Sequence, residues 1–183
     1  MCKETVPLLA TIRTKKEGGL ADLTDAAYGE LGTAICHSGL ADLLDVEAST
    51  AQAVIAAIQQ QARESGVKTV FSSHNFAETP PTETMVNTLT DMVRRGADIA
   101  KLAVMPRCRS DVLELLAATA EMADLHPETP VITMSMGALG AVSRLAGETF
   151  GSAMTFANPG QASAPGQVAL DVVNEVLESL RLA

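Results

Sequence analysis

Apolar runs of strand length alternate with longer stretches of helical spacing from one end of this chain to the other. The runs lie at about 6–13 (VPLLATIR), 40–47 (LADLLDVE), 67–74 (VKTVFSSH), 97–104 (ADIAKLAV), 129–135 (TPVITMS) and 152–156 (SAMTF). In the stretch 109–125, Val112, Leu115, Leu116 and Met122 fall on one helical face, with Thr119 a polar member of the same stripe. Thr79-Pro80-Pro81 predicts a helix start with proline in its first turn, and Gly66 and Gly96 predict the ends of the helices before them. The stretch 166–181 reads as an amphipathic closing helix. Six strand–helix units in alternation require a parallel sheet, because parallel strands can be joined only through crossovers. Two architectures meet that requirement: a doubly wound open sheet, or part of an eight-stranded barrel. The glycine fingerprint of dinucleotide-binding sheets is missing, since GALG at 137–140 lacks its spacing.

The length of 183 residues suits one domain, 1–183, and a hydrophobic fraction of 47% suffices to fill its core. A formal net charge of -9 argues against nucleic acid or an anionic membrane surface as partner. Tyr28 is the single tyrosine and tryptophan is absent, so base stacking is not this chain's business. No stretch is apolar and long enough to span a bilayer, and the first residues lack the apolar core of a signal peptide. Cys2, Cys36 and Cys108 are scattered and odd in number, which predicts free thiols in a reducing cytoplasm. Cys36-His37 has no further Cys or His at ligand spacing, so no metal is expected.

The unusual polar residues gather at the ends of the apolar runs. Arg13 closes the first, with Glu17 four residues on; Asp45 and Glu47 close the second, and His74 the third. Lys101 lies inside the fourth, Met134 and Met136 close the fifth, and Ser163 and Gln167 follow the sixth. Arg144 sits on the helical stretch after the fifth. Singly, each has an ordinary reading: a hydrogen-bonded histidine, a snorkelling lysine, surface arginines, packing methionines, a capping serine. Jointly they would converge on the mouth of a barrel, where strand ends carry the chemistry. An apolar surround favours the uncharged lysine amine, and a free amine adds to a ketone to form an imine, an electron sink. A nearby histidine can then remove the proton α to that carbon, and arginines can hold an anionic group. Carbonyl chemistry on a small acid follows, as a class I aldolase or an imine-forming dehydratase.

Five strings, in order and evenly spaced from about residue 7 to the C-terminus, resemble type I 3-dehydroquinate dehydratase: TIRTKKEGG (11–19), SSHNFAETP (72–80), GADIAKLAVMP (96–106), VITMSMGALGAVSRLAGETFGSAMTF (131–156) and QASAPGQ (161–167). The resemblance implies a (β/α)8 barrel of the shikimate pathway of aromatic biosynthesis that dehydrates 3-dehydroquinate to 3-dehydroshikimate without metal or organic cofactor. It implies Lys101 as the imine-forming amine, His74 as general acid and base, and Glu17 as the carboxylate that pairs with and orients His74. It implies Arg144 as the clamp on the substrate carboxylate with Ser163 and Gln167 beside it, and Arg13 on the ring hydroxyls.

A full barrel of this kind takes about 250 residues. The first strand here matches the family's third, so the first two strand–helix units are expected to be missing, and with them a Glu-x-Arg motif that meets the substrate's hydroxyls. The expectation is a C-shaped partial barrel, open near residues 8 and 154, that aggregates or pairs as a homodimer. Two other readings are a different imine-forming, aldolase-type barrel enzyme and an inactive barrel remnant acting as a binding module.

Overall fold

In the computed structural model, which describes residues 6–180, the apolar runs become strands β1 (Leu9–Thr11), β2 (Leu43–Glu47), β3 (Lys68–Asn75), β4 (Ile99–Val104) and β5 (Val131–Ser135). Helices α1 (Asp25–His37), α2 (Gln52–Ser65), α3 (Thr82–Arg94) and α4 (Arg109–Leu125) are the crossovers between them. A short α5 (Ala141–Leu145) follows β5, and α6 (Leu170–Leu180) closes the described chain. Cys2 and the last residue of the expected closing helix, Arg181, lie outside the described residues.

All strand pairs are parallel and the sheet order is β1-β2-β3-β4-β5. That order decides between the two architectures. A doubly wound sheet reverses direction at a switch point; here each right-handed crossover advances the same way and puts its helix on the same face. The result is an arc of barrel. Its helix-side layer is mainly apolar, with Val46, Phe71, Leu102 and Val104 packed on Ile55, Ile58, Leu89, Leu115 and Met122. On the other face of β4, alternation turns Ile99, Lys101 and Ala103 inward. Along that inner face Leu9, Leu43, Val70, Ile99 and Ile132 form an apolar floor. The later inward positions, Asp45, Glu47, Ser72 and Lys101, are buried and polar. The inner face therefore changes from apolar to charged toward the C-terminal ends of β2 and β3 and at Lys101 of β4, while Ala103 and Met134 stay apolar.

The Thr119 position fits its stripe because its hydroxyl is fully used: it donates to the Leu115 carbonyl at 2.7 Å and meets Thr133 Oγ1 on β5 at 2.6 Å. Gly66 ends α2 at φ 72° and Gly96 follows α3 at φ 84°, where a left-handed residue is needed.

Three expectations change. The run 152–156 forms no strand and meets the sheet through an isolated bridge between Ser152 and Val131. The Ser152 hydroxyl accepts the Thr133 N–H at 3.2 Å, taking a ladder donor that a sixth strand would use, and Gly151 at φ 97° precedes it. The described residues thus hold five strands rather than six. Helix α3 begins at Thr82, with Pro81 as its extended N-cap at ψ 150°, because Pro81 keeps Pro80 out of helical conformation. The closing helix begins at Leu170 rather than 166, since 168–170 first pairs with Asn158: the Asn158 N–H donates to the Val168 carbonyl and the Leu170 N–H to that of Asn158. Leu8 and Met154 are exposed, as expected for the two open ends of the arc. No described helix is long and apolar enough to cross a membrane.

Candidate active site

The charged ends of β1 to β4 meet in one cluster. Lys101 is buried, and its Nζ donates to Asp45 Oδ2 at 2.9 Å while lying 4.7 Å from the centre of the Phe156 ring. The surround of this amine is therefore not purely apolar, contrary to expectation: it is an ion pair laid against an aromatic face. Register explains the pairing. Lys101 stands opposite Ser72 and Asp45 opposite Val70, so the two charged residues are offset by one inward step across the intervening strand. The other oxygen, Asp45 Oδ1, accepts from Ser72 Oγ at 2.6 Å and Arg13 Nη2 at 2.7 Å. Burial alone would raise the Asp45 pKa, but Lys101, then Arg13, then the Ser72 hydroxyl reverse this and hold the carboxyl below its ordinary range.

Glu47 ties the segment after β1 to the sheet. Its Oε1 accepts the Thr14 N–H at 2.8 Å and Arg13 Nη1 at 2.9 Å, and its Oε2 accepts the Thr14 hydroxyl at 2.6 Å. Its own backbone N–H donates to the Tyr28 hydroxyl on α1 at 2.9 Å. That anchored segment continues into a single 3-10 turn, Lys15–Glu17, which Gly18 ends at φ 83°. Gly19 then packs so closely on the Arg13 carbonyl that a Cβ would not fit. The tight return delivers Glu17 to His74: Glu17 Oε2 lies 2.8 Å from His74 Nδ1, and Glu17 Oε1 accepts from Ser49 Oγ at 2.8 Å. The carboxylate engages Nδ1, which leaves Nε2 as the imidazole's free nitrogen for proton transfer.

Arg13 is in the cluster, but its guanidinium faces protein carboxylates. Nη1 reaches Glu47, Ser72 and, at 3.5 Å, Glu17, while Nη2 takes Asp45. Burial works against its charge; Asp45 first, then Glu47 and Glu17, outweigh it and raise the pKa. Arg144 is the opposite case. It is 2% exposed on α5, far from the helix-surface cation its sequence position also allowed. Its Nη2 donates to the Pro165 carbonyl at 3.2 Å, its Nη1 lies 3.6 Å from the Met134 sulfur, and its Nε is buried with no partner. Among the described residues no carboxylate pairs with it, and burial pulls its pKa down. A buried guanidinium with a free donor is a place for an anion. The segment carrying Pro165 comes close because Gly166, at φ 76°, leaves no room for a Cβ against the Gly137 backbone. On the same segment Ser163 and Gln167 bond each other: the Ser163 N–H donates to Gln167 Oε1 at 2.7 Å, and Gln167 Nε2 to Ser163 Oγ at 3.1 Å.

Seven sequence-predicted residues thus divide into a strand-end cluster of Arg13, Glu17, His74 and Lys101, and a second group of Arg144, Ser163 and Gln167 joined through residues 163–167. Sequence reasoning placed Asp45 and Glu47 at a strand end but gave them no task, and it missed Ser49, Ser72 and Phe156. For the two carboxylates the signal existed: in LLDVE they are two apart and share the inward face of β2.

An arc of parallel barrel that gathers a buried amine and a carboxylate-bound imidazole at its strand ends has the architecture of a barrel enzyme. A family model described as type I 3-dehydroquinase matches residues 2–183. A 3-dehydroquinate dehydratase of Klebsiella pneumoniae is 48% identical over 177 residues, covering 97% of this chain and 70% of the relative. The structure of type I 3-dehydroquinate dehydratase from Clostridium difficile with covalently modified comenic acid matches with a TM-score of 0.92 at 43% identity, over 97% of this chain and 70% of that one. The 3-dehydroquinate dehydratase structure from Geobacillus kaustophilus matches with a TM-score of 0.91 at 47% identity, over 95% and 67%. The chain belongs to the type I 3-dehydroquinase family, and its enzymatic class is the dehydration of 3-dehydroquinate.

Proposed function

We propose that the chain removes water from 3-dehydroquinate through an imine on Lys101, with His74 as general acid and base. The Nζ of Lys101 would add to the substrate ketone, whose oxygen leaves as water, giving a protonated imine. His74 then takes the C2 proton, and the freed electron pair moves into the iminium to form an enamine. The enamine expels the C1 hydroxyl, which leaves as water with the proton that His74 returns. Hydrolysis of the remaining imine releases 3-dehydroshikimate and the amine. Glu17 fixes the imidazole for this shuttle. Arg144 holds the substrate carboxylate, with Ser163 and Gln167 beside it, and Arg13 borders the same space near the ring hydroxyls. No organic cofactor or metal enters these steps.

One observation carries the reading: the Lys101 amine lies inward at the C-terminal rim, on β4 beside the strand that brings the Glu17-held His74 to the same rim. The covalently modified ligand in the Clostridium difficile relative is in keeping with it. Intact-protein mass spectrometry after mixing the chain with 3-dehydroquinate and borohydride tests it. One trapped adduct mapped to Lys101 is expected; no adduct in a folded sample would overturn it. Product analysis separates it from an aldolase reaction, which would yield two carbon fragments instead of water loss.

We place the enzyme in the cytoplasm, in keeping with the unpaired thiols of Cys36 and Cys108. It takes a small molecule rather than nucleic acid, in keeping with the net charge of -9. The open edge of β1, beside exposed Val6 and Leu8, supports pairing of two copies as a homodimer. Sedimentation of the purified chain as a monomer would refute that assignment.

A further inference from the structure

Asp45 is the feature the proposed chemistry has not used. It is fully buried, and each oxygen is spoken for: Oδ2 by the Lys101 ammonium, Oδ1 by Arg13 and the Ser72 hydroxyl. Its position is thus fixed from two sides, and what it presents to Nζ is a rigid negative charge. The Phe156 ring face, 4.7 Å from Nζ, also favours positive charge there. Imine formation conserves that charge. An ammonium and a ketone yield a protonated imine and water; one cation becomes another on the same nitrogen. A carboxylate matched to the first is matched to the second.

We propose that Asp45 is the counter-ion of the imine: it holds the Lys101 ammonium in the resting site and stays paired with the protonated imine nitrogen once the ketone has added. This rests on the imine reading above. The pairing keeps the imine protonated, which is the form that withdraws electrons when C2 loses its proton. Removing that carboxylate would favour the neutral nitrogen, so protonation steps in a variant lacking it would move toward lower pH. An opposite charge at this distance moves such steps by about one to three pH units.

The test is the pH profile of cyanoborohydride capture of 3-dehydroquinate on the chain, since this reagent reduces the protonated imine selectively. In Asp45→Asn the whole profile is expected to move to lower pH by about one unit or more. A profile that stays in place in a folded Asp45→Asn protein, judged by far-ultraviolet circular dichroism, would overturn the assignment. Asp45→Ser removes the charge while leaving an acceptor and space for water near Arg13; it answers the same question should Asn not fold. Lys101→Ala separates the two readings. Capture by the parent chain that is lost in Lys101→Ala, with no shift in the Asp45 variants, would sink only the role of Asp45. No capture by the parent chain would sink the imine and this role with it.

Discussion

The two halves of the site treat buried positive charge in opposite ways. At the ends of β1 to β4, Arg13 and Lys101 are saturated by Asp45, Glu47 and Glu17. On α5, Arg144 is at least as deeply buried yet meets a carbonyl, a sulfur and, among the described residues, nothing negative. Desolvating a guanidinium without an anion is costly, and the folded chain bears that cost at Arg144 alone of these three cations. The lesson is a division of labour. Where cations are paired, the network serves geometry: it fixes an amine and, through Glu17, an imidazole. Where a cation is left unpaired, the fold bears the cost of a desolvated charge, and the substrate carboxylate is the anion that the proposed function assigns to it.

The sharpest way to break this comparison is to remove from the paired half the groups to which the proposed function gives the reaction. Lys101→Ala is expected to abolish covalent capture and lower kcat by more than about 10^4-fold, beyond the range for losing an acid–base group, while weak substrate binding persists. His74→Ala is expected to lower kcat by about 10^2- to 10^4-fold yet still accumulate imine, because the amine is intact. Near-full turnover in His74→Ala would show that the proton shuttle lies elsewhere. Steady-state kinetics with borohydride capture reads both.

Stability should then separate the halves in sign. Glu47→Gln leaves Arg13 with Asp45 but one carboxylate fewer and loosens the Thr14 anchor, so it is expected to cost about 1.5–3 kcal/mol in urea unfolding. Arg144→Met removes an unpaired buried charge in favour of a side chain of similar length. It is expected to leave the unfolding midpoint unchanged or raise it, while weakening substrate binding by about 2–5 kcal/mol, read in KM or by calorimetry. A destabilised Arg144→Met protein with normal affinity would mean that the Pro165 contact, not an anion, is what this arginine is for. Acid adds a third reading of the paired half. The Asp45 pKa is lower folded than unfolded, so its stabilising contribution is complete above the unfolded value of about 3.9 and is lost as pH falls through the lower folded value. Unfolding midpoints followed below pH 4 should fall more steeply for the parent chain than for Asp45→Asn.

Much of this was legible in the sequence because it is local. The period of the apolar runs gives β1 to β5, the stripe at 109–125 gives α4 with its buried Thr119, and the glycines at 66 and 96 give two helix ends. The convergence of Arg13, Glu17, His74 and Lys101 follows from strand ends sharing a rim. What was not legible depends on partners distant in sequence. The Ser152 hydroxyl that interrupts a sixth strand acts on Thr133, and the carboxylate that turns Lys101 from an isolated amine into an ion pair is 56 positions away. Arg144 follows the same logic: its charge reads as surface in a helical string, but it is buried against Met134 on β5 and the Pro165 carbonyl.

The smallest expected effect probes how much of the histidine's orientation comes from beyond Glu17 itself. Ser49 follows β2 and reaches Glu17 Oε1, opposite the oxygen that engages His74. If that hydroxyl holds the carboxylate plane in line with the imidazole, Ser49→Ala costs one net hydrogen bond, about 1 kcal/mol, or a fewfold in kcat. KM should not change if Ser49 acts only through Glu17. The loss should be hidden in a Glu17→Gln background, where the carboxylate it orients is gone. Full additivity of the two substitutions in a double-mutant cycle would show that Ser49 acts on the loop and not through Glu17. Coupling close to the whole single-mutant effect would place Ser49 in the line that runs from β2 through the 3-10 turn to the imidazole, and so extend the paired half of the site by one more residue.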